Sequence, residues 1–244
     1  MKHKIRIIEQ YAFLACFLRK NSLHLKKRTK QNFIMENKKT YYKAHPWHGI
    51  SLGNDAPRIV TSFIEMVPTD TVKYEVDKVS GYLSIDRPQK YSNVVPALYG
   101  FLPQTYSDKR VAELTNKQLN RTDILGDGDP IDICVLTEKD ITHGDLIVRA
   151  RPIGGFRLLD QDKADDKLIA VLENDLIYDS YQDITDLPQS VIDRLKHYFT
   201  TYKDLPEDQT SRCVVTDVYG VQEAHEVIKR SMDDYQEYKE KEMF

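Results

Sequence analysis

From Ile59 onward the apolar positions fall into short runs separated by turn residues. Val60–Val67 and Val72–Val76 flank Pro68-Thr69-Asp70 and read as two strands. Tyr82–Asp86 follows the turn marked by Gly81 as a third. Ile133-Cys134-Val135-Leu136 is a continuous apolar run of strand length and reads as a buried strand. Further strands are expected over Leu146–Ile153, ending at Gly154-Gly155, over Leu168–Leu172 and over Arg212–Tyr219. The period then changes. Val191, Leu195 and Phe199 share one helical face within Pro188–Tyr202, and Leu187-Pro188 suits a helix start. Val221–Tyr238 reads as a charged amphipathic helix. The long polar stretch between Tyr99 and Asp127 holds a short helix over Arg110–Leu119. Strands come first and helices mostly last, with no internal repeat. This order predicts an α+β chain, mainly β, built as a compact barrel with flanking helices.

Residues 1–40 break the pattern. Lys2, Lys4 and Arg6 precede the apolar Tyr11–Leu18, and the basic run Lys26-Lys27-Arg28 follows. An export signal peptide is the lesser reading, because Arg6, Glu9 and Gln10 interrupt the apolar part and no small-residue cleavage site is clear; the run is also too short for a membrane span. The expectation is an N-terminal extension over 1–40, with translation starting at Met35, before a domain over 41–244. Within that domain, His45-Pro46-Trp47-His48 reads as a packed arm anchored by Trp47, because Pro46 spoils a helical pairing of the histidines.

The totals are those of an ordinary soluble protein: 244 residues, 41% hydrophobic and 30% charged. The net charge of −3 gives no general attraction to nucleic acid or to an anionic membrane. The three cysteines, Cys16, Cys134 and Cys213, show no CxxC spacing. They argue against a disulfide framework or a zinc site and fit a reducing cytoplasm.

The strongest chemical signal is Gly126-Asp127-Gly128-Asp129-Pro130-Ile131-Asp132, directly before the apolar run. Its three carboxylates converge where a loop becomes a strand, on a backbone restrained by glycine and proline. Three readings compete on this stretch alone. An acidic surface turn accounts for any Asp/Gly/Pro cluster. A calcium loop starting at Asp127 places Glu138 at its last ligand position, but Ile131 and Asp132 stand where Asp or Asn and Gly are needed. The third reading is an oxygen-ligand Mg²⁺ site for phosphoryl chemistry. Elsewhere, two-residue spacing puts Lys73 with Glu75, and Asp165 with Lys167, on shared strand faces. For each pair a solvated face is the plainer explanation.

Taken in order, these features resemble the soluble family I inorganic pyrophosphatases over roughly residues 41–230. Asp127-Gly128-Asp129-Pro130-Ile131-Asp132 matches that family's signature of acid, small residue, acid, Pro, apolar residue, acid. Around it stand Glu65, Lys73-x-Glu75, Asp86-Arg87-Pro88, Tyr99-Gly100, Asp160, Asp165-x-Lys167 and Tyr202-Lys203. The fold expected with it is an OB-like five-stranded barrel with flanking helices. The activity implied is Mg²⁺-dependent hydrolysis of pyrophosphate to two orthophosphates by in-line attack of metal-bound water, with Mn²⁺ as a substitute. The resemblance makes Asp127, Asp132, Asp160, Asp165 and Glu65 metal ligands. It makes Asp129 the base, assisted by Tyr99 and by Glu75, the latter mainly through metal-bound water. It gives Lys73, Arg87, Tyr99, Lys167, Tyr202 and Lys203 to phosphate oxygens. It also implies self-association into a homo-oligomer. The charge count agrees independently. Seven acids of this set face Lys73, Arg87, Lys167 and Lys203, an excess of three negative charges that an anionic substrate could not approach without cations. With no His or Cys among the candidate ligands, Mg²⁺ or Mn²⁺ is favoured over Zn²⁺.

Two features depart from the family. Val95 precedes Pro96 where the family often has tyrosine, which removes one positioning hydroxyl. The stretch from about Thr105 to Thr122 is long, with Val111, Leu114 and Leu119 as its main apolar residues. It is expected to close over the pocket or to brace a neighbouring subunit. Two other functions are weighed. A metal phosphohydrolase for nucleotides or monoesters lacks a P-loop pattern. An OB-type nucleic-acid-binding barrel could stack bases on the 15 tyrosines but is opposed by the acid cluster.

Overall fold

The structure, a computed structural model, describes residues 43–90, 92–204 and 212–242. The expected extension at 1–40 and its start at Met35 lie outside the described residues. The chain divides at Lys43/Ala44, and Ala44–Phe244 is the unit described below.

Its strands are β1 (Val60–Met66), β2 (Val72–Val76), β3 (Leu83–Pro88), β4 (Leu98–Phe101), β5 (Leu125–Gly126), β6 (Asp132–Leu136), β7 (Leu146–Asp160), β8 (Lys163–Ala164), β9 (Lys167–Leu172) and β10 (Cys213–Gly220). Its helices are α1 (Lys109–Leu119), α2 (Gln189–Thr201) and α3 (Val221–Glu242). The fold is α+β, as expected, but the five-stranded barrel is not formed. The strands make one 8-stranded sheet in the order β1-β4-β6-β9-β7-β8-β5, with β10 added on β7 and a further β1–β7 pairing. β2 and β3 form a separate hairpin sheet. β5 and β10 leave edges open, so the sheet as a whole is not closed into a barrel.

The physical reason lies in β7. It does not end at Gly154-Gly155 but runs for 15 residues. It pairs with β1 over Leu146–Ala150, with β9 over Ala150–Phe156 and with β10 over Gly154–Asp160. The two glycines allow this rather than stopping it. A Cβ on Gly154 would lie 2.5 Å from the Tyr219 carbonyl oxygen, and one on Gly155 would lie 2.5 Å from the Tyr219 hydroxyl. β4 escaped the sequence reading because it has only four residues, one of them Gly100.

Apolar side chains fill both sides of the sheet. Phe156, Ile169 and Cys134 pack with Leu195 and Phe199 of α2. Ile64, Ile133, Leu168 and Ala170 pack with Val227 and Ile228 of α3. Trp47 anchors the arm as expected: it is buried, and its Nε1–H donates to the Thr105 carbonyl at 2.9 Å.

The 105–122 stretch is neither lid nor loose loop within this chain. Val111 and Ala112 of α1 are buried. Asp234 of α3 accepts the backbone N–H groups of Asp108, Arg110 and Val111 at 3.2, 3.1 and 3.2 Å. A side chain from another helix thus satisfies donors that every helix start leaves open. Arg110 and Arg121 make ion pairs with Asp234 and Glu237 and with Asp123 and Asp162, and neither arginine lines the cavity described next.

Candidate active site

A cavity of about 340 Å³ opens between the main sheet and the β2–β3 hairpin. Every candidate residue except Arg87 lines it: Glu65, Lys73, Glu75, Tyr99, Asp127, Asp129, Asp132, Asp160, Asp165, Lys167, Tyr202 and Lys203. Arg87 sits opposite Lys73 on the hairpin and donates to Asp86, which also meets Lys73 Nζ at 3.2 Å. Trp47, Lys78, Gln161 and Lys163 also line the cavity and were missed. Lys78, which pairs with Asp129, lies in a turn where strand periodicity gives no signal. Val95 is buried in the core and does not line the cavity.

Local backbone devices aim the acids. At Glu65 the β1–β4 register shifts, and the Glu65 carboxylate accepts the Val76 N–H at 2.7 Å, joining β1 to the hairpin. The Asp127–Asp129 loop is tied to the preceding segment by Gly128 N–H to the Ser107 carbonyl (3.1 Å) and Ser107 N–H to the Asp129 carbonyl (2.8 Å). Gly126 is required there, since a Cβ would come within 2.2 Å of the Ser107 carbonyl oxygen. Gly128 adopts φ +82, the left-handed region that glycine enters freely. β6 and β9 run parallel with Asp132 beside Lys167. The Lys167 ammonium donates to Asp132 and, at 2.6 Å, to Asp165. Tyr99 O–H donates to Asp132 at 2.6 Å. Lys203 pairs with Asp160, whose other oxygen has Cys213 Sγ at 3.6 Å. Lys73 donates to Glu75 at 2.6 Å, as their shared strand face predicted.

The electrostatics show how crowded the carboxylates are. Burial pushes Glu65 up to about 8. Burial, and then the charge of Asp165, holds Asp127 well above the usual carboxylate range. Burial raises Asp132 as well, against the pull of Lys167. Burial works to raise Asp165 too, but the Lys167 charge outweighs it and keeps Asp165 low. Lys167 stays charged in a buried place because Asp132 and Asp165 overcome its desolvation. Tyr99 and Tyr202 are raised well above the usual phenol range by burial, so they remain hydroxyl donors.

Lysine charges therefore hold these acids together. Among the described residues, no three His, Cys, Asp or Glu side chains form a closed cation cage. The donor set nevertheless fits hard divalent cations. It is all oxygen, and burial raises both Asp127 and Glu65, a strain on buried carboxylates that a bound cation would relieve.

A family model described as "Inorganic pyrophosphatase" matches residues 62–236. The inorganic pyrophosphatase of Chlamydia trachomatis serovar L2 is 50% identical over 196 residues, 79% of this chain and 94% of that protein. The chain belongs to the soluble family I inorganic pyrophosphatases. Soluble inorganic pyrophosphatase 2 of Chlamydomonas reinhardtii is 37% identical over 80% of this chain and 90% of that one. The crystal structure of the Thermus thermophilus inorganic pyrophosphatase superposes with a TM-score of 0.67 at 28% identity, covering 79% of this chain and 99% of that chain. Among the described residues of this family member, no helix is long and apolar enough to cross a membrane.

Proposed function

We propose that this chain hydrolyses inorganic pyrophosphate to two orthophosphates in the cavity between sheet and hairpin, with Mg²⁺ as its cation and Mn²⁺ as a substitute. The observation that carries this reading is the composition of the cavity: an all-oxygen set of carboxylates, most of them on the sheet wall, with lysines distributed around it. Asp127, Asp132, Asp160, Asp165 and Glu65 would hold the divalent cations. When bound, such cations neutralise the carboxylates, screen the substrate charge and acidify water.

The chain's own groups do the rest. Lys73, Lys167, Tyr202 and Lys203 bind phosphate oxygens by charge-assisted or hydroxyl hydrogen bonds. Arg87 reaches them only by leaving Asp86. Asp129 lies at the cavity mouth, accepts the proton of the attacking water and is aligned by its own N–H on Asp127 at 3.1 Å. The water oxygen bonds to one phosphorus in line as the bridging P–O bond breaks, and the leaving phosphate takes the electron pair. Lysine charges around the cavity stabilise it as its negative charge grows. Tyr99 holds Asp132 in place through its hydroxyl. Glu75 steadies Lys73 and water on the hairpin side.

Residues 41–244 act as the domain, with the chain a homo-oligomer of the cytoplasm. Neither nucleic acid nor membrane is a partner. The test is orthophosphate release from pyrophosphate, ATP and a phosphomonoester, each with and without Mg²⁺. The reading requires fast release from pyrophosphate alone, dependent on Mg²⁺. Equal release from the monoester would replace it with the broader phosphohydrolase.

A further inference from the structure

Behind the cavity wall lies a second set of charges that the reaction scheme leaves unused. Arg157 of β7 is among the largest fully buried side chains. Its Nη2 lies 3.3 Å from Asp166 Oδ2 and 2.9 Å from Glu223 Oε1 of α3. Its guanidinium carbon stands 5.1 Å from the centre of the Tyr219 ring. The Tyr219 hydroxyl donates to Asp166 at 3.0 Å. Asp166 is itself buried. It sits between two cavity residues, Asp165 and Lys167, and extended chain alternates sides. Asp165 and Lys167 therefore face the cavity while Asp166 faces away into Arg157 and Tyr219.

Stability alone is a poor reason for such a cluster. A buried ion pair exchanged for apolar groups of similar volume often leaves a protein as stable or more so. What the pair does supply is orientation. Phe156 pairs with Lys167 across β7 and β9, and the Asp165 N–H bonds to the Leu158 carbonyl at 2.9 Å. The backbone is thus held on both sides of Asp166. Arg157 faces Asp166 from behind as a charge partner and not as a hydrogen-bond donor, since its Nε and Nη2 have no hydrogen-bond partner among the described residues.

We infer that Arg157 is a positioning residue for this reaction: through Asp166, with Tyr219 as second anchor, it fixes the directions in which Asp165 and Lys167 enter the cavity. The inference rests on the pyrophosphatase reading. It concerns how the ligand carboxylate is aimed and takes Asp165 as a ligand.

The decisive variant is the neutral pair Arg157→Met with Asp166→Asn, which leaves no buried charge unpaired. Outer contacts of metal ligands typically matter by 10–100-fold. Mg²⁺ binding without pyrophosphate, followed by calorimetric titration, should therefore weaken about tenfold. With bound cation and substrate saturating, kcat should fall about tenfold while KM changes less than about threefold. The thermal midpoint should stay within a few degrees of the parent, separating aim from stability. Tyr219→Phe, a same-shape change, should move cation binding and kcat in the same directions by about threefold. It decides the matter if the double variant does not fold. A folded variant with parental Mg²⁺ binding and parental kcat overturns the inference. A parent chain that does not hydrolyse pyrophosphate refutes the reading of the reaction instead, and the Mg²⁺ titration still tests Arg157.

Discussion

On the sheet wall of the cavity, Lys167 and Asp165 expose 2% and 10% of their side chains, whereas on the hairpin wall Lys73 and Glu75 expose 21% and 40%. Both walls pair a lysine with carboxylates, yet the physics differs. The sheet wall stands on β6 and β9, which are hydrogen-bonded to neighbours on both sides, so its charges are desolvated and their geometry is fixed. The hairpin wall is a two-stranded sheet joined to β1 through the Glu65 carboxylate. Its charges remain in contact with water and can exchange partners. A rigid wall suits ligands that must converge on a cation. A wetter, looser wall suits cations that must let go of an acid and take up a phosphate.

The largest expected effect tests the mouth of the sheet wall. Asp129→Asn should lower kcat by about 10²–10⁴-fold, the usual range for losing a general base, with circular dichroism unchanged. A correctly folded Asp129→Asn variant of full activity would remove Asp129 from that role. Next comes Lys167→Met, which leaves Asp132 and Asp165 buried without their counter-charge. In metal-free buffer it should cost about 3–5 kcal/mol in urea unfolding, and added Mg²⁺ should restore part of the loss. No destabilisation there would mean the sheet wall is as well solvated as the hairpin.

Lys73→Ala is the matching change on the hairpin. It should cost less than about 1 kcal/mol of stability, because Glu75 and Asp86 can turn to water. It should raise KM for pyrophosphate about tenfold, the worth of one charge-assisted hydrogen bond. Arg87→Ala, outside the cavity and paired with Asp86, should raise KM by less than about threefold. An equal effect of both would mean that Arg87 swings inward with substrate.

The smallest effect concerns pH and the arm that braces the hairpin. His45 Nε2 lies 3.2 Å from the Lys78 carbonyl, and His48 Nδ1 lies 2.9 Å from the Tyr235 hydroxyl. Burial, and then the nearby His45, lower His48 from 6.5 to about 4. Between those pH values the unfolded chain binds more protons than the folded one. The arm should therefore hold fully above pH 6.5 and loosen as pH falls towards 4. Trp47 is the only tryptophan, so its fluorescence reports the loosening directly. A flat signal over that range would show that His48 contributes nothing to docking.

The sheet wall was largely legible in the sequence because its information is local. Asp127, Asp129 and Asp132 fall within six residues of a strand start, and Asp165-x-Lys167 opens a second apolar run. The amphipathic patterns of α2 and α3 were legible for the same reason. What escaped depended on contacts between distant segments. Gly154-Gly155 reads as a stop in isolation. It becomes strand only when Tyr219 packs over it, which doubled the expected length of β7 and replaced the five-stranded barrel. The 105–122 stretch reads as a polar segment that must close over the pocket or brace a neighbour, and its helix instead docks on α3. The sequence did not reveal that Asp234, more than a hundred positions later, would cap its helix. Lys78 lies in a turn, where a lysine carries no period. Asp166, between two recognised residues, was passed over because its partner Arg157 lies on another strand.

The parallel pairing of β6 with β9 sets Asp132 beside Lys167, 35 positions further along the chain. Contacts of such separation form slowly, since the loop between them must close before any pairing rewards it. During refolding, β2–β3 and the local helices can assemble early, while catalytic competence must wait for the distant rungs, this one and the pairing of Val60 with Ala150 among them. A renaturing sample should therefore recover its far-ultraviolet signal well before it releases phosphate. The delay between the two clocks the last strands coming into register.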